Sequence, residues 1–280
     1  MIQKAYAKVN WHLNIINKRE DNYHELEMLM QRISIYDVID IKLTNAAFEI
    51  DCNIEELKNV KKNLIYKIWI EIKEKYSLKQ NIIVKLEKKI PIGAGLGGGS
   101  SDAATSLNLI NELFKLNMTY REKKEIGTKV GMDIPFFFGS GVQIATNRGE
   151  NLKKVGYNNT GKFFVVVPKI LVSTPKVYNN LEPKDYAKQY DYLKVVKNFL
   201  DKDFLSLQDN SINHLEKPAF RLFPYIETIK KQIENEIECI YCRMSGSGPS
   251  LIVLAKNFEI ARAKLSKLNN CDIFIVEGVN

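Results

Sequence analysis

The stretch Pro91-Ile92-Gly93-Ala94-Gly95-Leu96-Gly97-Gly98-Gly99-Ser100-Ser101 packs five glycines into seven positions, a density suited to holding phosphate. Glycine loses more conformational freedom on folding than any other residue, so something has to require the missing Cβ atoms. Backbone N–H groups curling around phosphate oxygens have that requirement. A helix N-terminus directly behind them adds partial positive charge and unpaired donors. Ser100 and Ser101 can cap that helix or meet a phosphate or magnesium. The run is not a Walker A loop, because no Gly-Lys-Ser/Thr closes it. It also fits the dinucleotide-binding fingerprint poorly, since Lys85, Glu87, Lys88 and Lys89 make the preceding strand more polar than a buried parallel one. A purely structural strand-to-helix turn is the plain alternative. A linker is not, because linkers are not clamped between an apolar strand and an amphipathic helix.

A second candidate is Asp133, in the otherwise apolar run Gly131-Met132-Asp133-Ile134-Pro135-Phe136-Phe137-Phe138-Gly139. An aspartate there is an N-cap for the next turn, a functional carboxylate in a desolvated site, or both. Cys239 and Cys242 form a C-x-x-C pair. A structural zinc site needs a second such pair or two closely spaced histidines, and His12, His24 and His214 do not supply them, so the pair reads as strand residues.

The elements that must carry these residues follow from periodicity. Ala5, Ala7, Val9, Trp11, Leu13 and Ile15 alternate, which is the signature of a β-strand, and Tyr6, Lys8, Asn10, His12 and Asn14 fall on its other face. That polar row either faces solvent or lines a cleft. The loop over residues 18–24 contains Asn22, which tolerates a left-handed backbone and so suits a tight turn presenting Tyr23 and His24. A strand is expected within Leu26–Leu43 and another over Ile82–Ile90, followed by the glycine loop. A helix follows Asp102, with Ala103, Leu107, Ile110 and Phe114 on one stripe, and a second spans Tyr120–Val130. Beyond Lys162 the pattern predicts strand Phe163–Pro168, helices around Asp185–Leu200 and Pro224–Glu236, and strand Glu238–Met244. The loop Ser245-Gly246-Ser247-Gly248-Pro249 then leads to strand Ser250–Ala255, a helix near Phe258–Leu268 and strand Asp272–Glu277. This is an α+β chain in two domains, residues 1–155 and 156–280.

Composition bounds the rest. The 280 residues, 45% hydrophobic and 26% charged, suit an ordinary globular protein. The excess of 41 Lys+Arg over 33 Asp+Glu gives +8, spread as scattered pairs over a solvated surface. No apolar stretch is long enough to span a bilayer, and the N-terminus lacks signal-peptide regions, so a cytoplasmic protein without membrane contact is expected.

Three clusters in order, Ala7-Lys8-Val9-Asn10, the run 91–104 and Met244–Ser250, resemble the three motifs of the GHMP kinase superfamily across nearly the whole chain. The segments Asp21-Asn22-Tyr23-His24 and Gly131–Phe137 are most similar to its members that phosphorylate 4-diphosphocytidyl-2-C-methyl-D-erythritol. The resemblance implies a two-domain GHMP kinase fold, with an N-terminal ribosomal-protein-S5-like domain, a C-terminal ferredoxin-like one and the active site in the cleft between them. It implies ATP and Mg²⁺, a small-molecule cytidine diphosphate substrate, no nucleic acid, and a monomer or homodimer. It also implies that Asp133 accepts the proton of the attacking hydroxyl while Lys8 stabilises charge in the transition state. Residues 91–101 would bind ATP. Tyr23 and Tyr178 would sandwich the cytosine, His24 would hydrogen-bond it, and Asn10 and Lys88 would lie beside the substrate. The chain departs from the family pattern at Asn22, where glycine is usual, and at Met132, where a smaller residue is usual. Alternatives are another kinase of the superfamily, acting on homoserine, a mevalonate derivative or a sugar, and a basic nucleic-acid-binding protein.

Overall fold

The computed structural model describes residues 1–156, 160–186, 188 and 190–280, with Lys62 through its backbone alone. Its chain forms two compact units whose segments interleave in sequence: Met1–Ala7, Ile35–Pro91 and Gly97–Ser140 in the first, Lys8–Ser34, Ile92–Leu96 and Gly141–Asn280 in the second.

Strands β1 (Ile2–Lys18) and β2 (His24–Thr44) run through both segment sets. In the first unit the C-terminal half of β2 pairs antiparallel with β4 (Asn81–Glu87), from Val38 opposite Glu87 to Thr44 opposite Asn81. Strand β3 (Glu49–Cys52) joins β4 in parallel. Ile82, Val84 and Leu86 turn one face of β4 into the core, as a period of two requires. Against this stand α1 (Leu64–Lys75), α2 (Gly98–Leu113) and α3 (Tyr120–Val130). Helix α1 buries Ile65, Ile68, Trp69 and Ile72, a single stripe, and starts at Asn63, whose side chain accepts from the Ile65 N–H. Helix α2 is buried on nearly all sides from Ser101 to Ile110, so it forms the centre of this unit. Helix α3 starts at a capping box made by Thr119 and Glu122 and ends at Gly131, where the periodicity puts it.

In the second unit the N-terminal half of β2 pairs with β5 (Val142–Asn147), and β5 with β6 (Asn151–Gly156), both antiparallel. A separate four-stranded antiparallel sheet has the order β10-β7-β9-β8, with β7 Phe163–Pro168, β8 Cys239–Met244, β9 Leu251–Ala255 and β10 Cys271–Val276. Helices α4 (Thr174–Asn179), α5 (Tyr192–Leu200), α6 (Phe204–Asn210), α7 (Glu216–Leu222), α8 (Pro224–Glu236) and α9 (Phe258–Leu265) complete it. Trp11 anchors the core: its ring lies 5.1 Å from Phe163, 5.3 Å from Phe199 and 5.1 Å from Tyr241, and its indole N–H donates to Gln31 at 2.8 Å.

Several boundaries differ from the sequence expectation. The segment expected to contain one strand is a single strand of 21 residues. Strand β4 stops at Glu87, because Lys88, Lys89 and Ile90 bind a side chain instead of a neighbouring strand. The expected helix over 185–200 begins only at Tyr192, where Asp191 caps it; Ala187 and Gln189 lie outside the described residues. Among the described residues no helix is long and apolar enough to cross a membrane.

Candidate active site

The polar row on β1 is interior from Lys8 to Asn14, which rules out the solvent-facing alternative. Lys8, Asn10, His12 and Asn14 are each at most 4% exposed. Lys8 donates its ammonium to the side-chain oxygen of Asn10, a contact along one face of the strand. Asn10 is held in turn: its N–H donates to Ser245 Oγ at 3.1 Å and its amide nitrogen approaches Met28 sulfur at 3.5 Å. A Cβ on Gly246 would stand 3.5 Å from both Lys8 Nζ and Asn10 Oδ1, so the loop 245–250 touches both. The amide of Asn213 carries that loop by donating to the carbonyls of Met244 and Gly246 at 2.7 and 2.8 Å, and Thr174 meets Ser247 at 2.7 Å.

The middle of the glycine loop belongs to the same unit. Lys8 N–H donates to Leu96 O at 2.9 Å and Ser250 N–H to Ala94 O at 3.3 Å, while Ser245 Oγ donates to Gly95 O at 3.2 Å. The chain's own packing accounts for part of the glycine content. Gly93, Gly95 and Gly97 have φ of +64°, +74° and +70°, the left-handed region that favours glycine. A Cβ on Gly95 would lie 2.3 Å from Ser245 O, and one on Gly98 would lie 2.9 Å from Ile90. Gly99 is different. It is helical and exposed, and its Cβ would meet only Leu64 at an ordinary 3.6 Å, so the space beside it is left open by the protein.

Helix α2 starts at Gly98, four residues ahead of Asp102, behind which it was expected, and its N-cap is Gly97, which has no side chain to take the first N–H donors. Neither serine caps it. Ser101 donates its hydroxyl to Tyr6 O at 2.7 Å, and Ser100 lies 4.0 Å from where a Gly131 Cβ would be, beside the segment that bears Asp133. Asp133 stands at the N-cap position of a short 3₁₀ turn, Ile134–Phe138, yet its side chain makes no cap hydrogen bond. The capping explanation for this aspartate therefore fails, and the residue itself is half-buried. An uncapped helix N-terminus next to an open space at Gly99 fits the phosphates of a nucleotide.

The aromatic candidates sit in the second unit. Asn22 has φ +65°, so the left-handed turn expected of it is present, and Tyr23 N–H donates to Asp21 Oδ1 at 3.1 Å within it. Tyr23 is exposed, and the Arg148 guanidinium lies 5.2 Å from its ring centre. Glu150 holds Arg148 at 3.2 Å from both Nε and one terminal nitrogen. The His24 ring packs 5.4 Å from Tyr178 and 6.4 Å from Tyr186, and burial, aided by Lys18, lowers its pKa and favours the uncharged ring.

Lys88, expected beside the substrate, is enclosed in the first unit between two carboxylates: it donates to Asp37 and, at 2.7 Å, to Asp102. Burial works against this ammonium and the two carboxylates more than offset it, so its pKa is raised. Burial pushes the Asp102 carboxyl well up, with Lys88 opposing and Asp37 adding to the effect. Arg148, Tyr186, Asn213 and Asp37 were not singled out from the sequence. Asn147-Arg148-Gly149-Glu150 carries a visible turn signal, but nothing local says that Arg148 faces Tyr23.

Comparison with known proteins gives the family and the fold. The family described as GHMP kinases N terminal domain matches residues 63–141, and GHMP kinases C terminal matches residues 195–272. A 4-diphosphocytidyl-2-C-methyl-D-erythritol kinase of Clostridium beijerinckii is 36% identical over 278 residues, 99% of each chain. The chain belongs to the GHMP kinase family. Another relative, the kinase of the same name from Thermoanaerobacter pseudethanolicus, is 32% identical over 97% of this chain and 93% of its own. The crystal structure of a 4-(cytidine 5'-diphospho)-2C-methyl-D-erythritol kinase superposes with a TM-score of 0.82 at 28% identity, covering 99% of both chains. A homoserine kinase of Cytophaga hutchinsonii shares the GHMP kinase fold, with a TM-score of 0.67 at 17% identity over 98% of this chain and 95% of its own.

Proposed function

We propose that this protein transfers the γ-phosphate of ATP to the 2-hydroxyl of 4-diphosphocytidyl-2-C-methyl-D-erythritol, a step of the methylerythritol phosphate route to isoprenoid precursors. One observation carries the reading: relatives named as kinases of that alcohol align with nearly the entire chain at 32% to 36% identity.

ATP would supply the phosphoryl group, and Mg²⁺ bound with it at residues 91–101 would supply charge neutralisation on the phosphates. Residues 91–101 hold the phosphates, a role supported by the uncapped start of α2 and the open space at Gly99. Asp133 takes the proton of the hydroxyl as it attacks, a role supported by its half-buried place at the head of the buried apolar run Ile134–Phe137. Lys8 stabilises the developing charge, and Asn10 fixes the direction of its ammonium. Tyr23 and Tyr178 flank the cytosine ring, and uncharged His24 offers one donor and one acceptor to its edge. Lys88 is left outside the substrate set, because both of its carboxylate partners are buried with it.

The test is ADP production by purified protein, with ATP and Mg²⁺, in the presence and absence of the alcohol. Turnover should require that alcohol, and Asp133→Ala should lose about 10²–10⁴ in kcat while still binding nucleotide. Equal turnover with homoserine or mevalonate would refute the substrate, and near-normal kcat in Asp133→Ala would refute the base.

A further inference from the structure

Three buried ionisable side chains in the first unit have no part in the chemistry above. The Lys88, Asp37 and Asp102 side chains are 3%, 0% and 5% exposed, with Lys88 donating to both carboxylates. One ammonium between two carboxylates is costly to bury, and such a group adds little to stability over a well-packed apolar set. Its position along the chain suggests what it is for. Lys88 lies three residues before Pro91 and Asp102 directly follows Ser101, so their ion pair joins the backbone just ahead of the glycine loop to the helix just behind it.

The surrounding contacts have the same effect. Asp37 Oδ1 accepts from the N–H groups of Lys89 at 2.5 Å and Ile90 at 2.8 Å, which pulls the chain out of β4 and toward the loop. Asn53 grips Lys88 from both sides of its backbone, accepting from its N–H at 2.8 Å and donating to its carbonyl at 3.0 Å. The Lys88 ammonium would lie 3.2 Å from a Cβ on Gly98, the first residue of α2. The second oxygen of Asp102, Oδ1, is buried without a geometric hydrogen-bond partner, so this side chain has given up solvation for its contacts inside the triad with Lys88 and Asp37.

We propose that Asp102, acting through Lys88 and Asp37, is a positioning residue for the nucleotide's phosphates: the buried triad ties the two ends of the glycine loop together and presets its backbone N–H groups. The proposal rests on the reading of residues 91–101 as the ATP site. A loop rich in glycine is expensive to order at each binding event, and fixing its ends beforehand removes part of that cost.

Calorimetric binding of the β,γ-imido analogue of ATP with Mg²⁺, alongside kcat and both KM values, tests this on the whole protein. Asp102→Ala is expected to weaken the analogue and raise the KM for ATP about tenfold, leaving the KM for the alcohol within about twofold. Asp102→Asn keeps an oxygen facing Lys88 and is expected to restore affinity to within about threefold of the wild type. Wild-type affinity in Asp102→Ala, or equal weakening toward both substrates, would overturn the proposal. Should Asp102→Ala fail to fold, the triple variant Asp37→Asn/Lys88→Met/Asp102→Leu, which leaves neither an unpaired ammonium nor an unpaired carboxylate and keeps an oxygen to accept from the Lys89 and Ile90 N–H groups, carries the same expectation and the same refutation. A wild-type protein that does not bind the analogue removes the ATP-site reading and this inference with it. Binding by the wild type with unchanged affinity in the variants removes the inference alone.

Discussion

Lys8 donates its ammonium to the side-chain oxygen of Asn10, two residues along the same face of β1. Both are buried, so the ammonium cannot be replaced on Asn10 by bulk water, and this amide helps to set the direction of the charge. Asn10→Ala frees Lys8 to adopt other rotamers without removing its charge. The expected result is a kcat lower by about 10–100-fold with the KM for ATP within about threefold, because the lost contribution is one of orientation. Steady-state kinetics checks it, and an Asn10→Ala enzyme with unchanged kcat would remove the orienting role.

Tyr23 is the exposed member of the aromatic group, and the Arg148 guanidinium over its ring is itself fixed by Glu150. An exposed ring on a turn rotates unless something flat lies against it. Arg148→Ala is therefore expected to raise the KM for the cytidine substrate about three- to tenfold and leave that for ATP unchanged, while Tyr23→Ala does the same more strongly. If Arg148→Ala shifts both KM values together, the residue serves the fold rather than the cytosine.

Much of this site was legible from residue types. The left-handed Asn22, the polar face of β1 and the glycine loop between a strand and a helix are local signals, readable from spacing and turn chemistry. What covers the polar face was not legible. Period two says which residues share a side, but the groups that bury them come from far along the chain: His12 accepts from the Ile212 N–H, 200 residues away. The pairing of Lys88 with Asp37 and Asp102, separated by 51 and 14 residues, was hidden for the same reason. Helix α1 is a different case. Its Asn63 cap and its stripe of Ile65, Ile68, Trp69 and Ile72 are local and could have been read.

The glycines of the loop divide into two kinds that one pair of variants separates. A Cβ on Gly95 would lie 2.3 Å from Ser245 O and 3.0 Å from Gly248 O, on a backbone with φ +74°. Gly95→Ala should therefore lower unfolding free energy by about 3 kcal/mol or more, measured by denaturant titration. Gly99 is helical, and an added Cβ makes an ordinary contact with Leu64, so Gly99→Ala should leave stability unchanged or raise it by about 0.5–1 kcal/mol. Its affinity for ATP should nonetheless fall about tenfold, since the methyl would occupy the open space beside the uncapped N–H groups. Full ATP affinity in a folded Gly99→Ala protein would show that phosphate does not approach there.

Acid should weaken the second unit through a histidine that has no catalytic task. Burial, aided by the nearby positive Arg243 and by His214, lowers the pKa of His12 from 6.5 to about 3, and its Nε2 is buried without a partner. The folded protein thus keeps a neutral ring where the unfolded chain would bind a proton. Stability from this group is complete above about pH 6.5 and is lost as pH falls through the window between the two pKa values, by about 2 kcal/mol at pH 5. His214, lowered to about 4 chiefly by burial, acts in the same direction. His12→Asn retains an oxygen to accept from the Ile212 N–H and has no proton to gain. Its unfolding free energy should fall less between pH 7 and pH 5 than that of the wild type, by about the same 2 kcal/mol. Identical pH dependence in the two proteins, followed by denaturant titration at each pH, would mean that His12 is already protonated inside the fold.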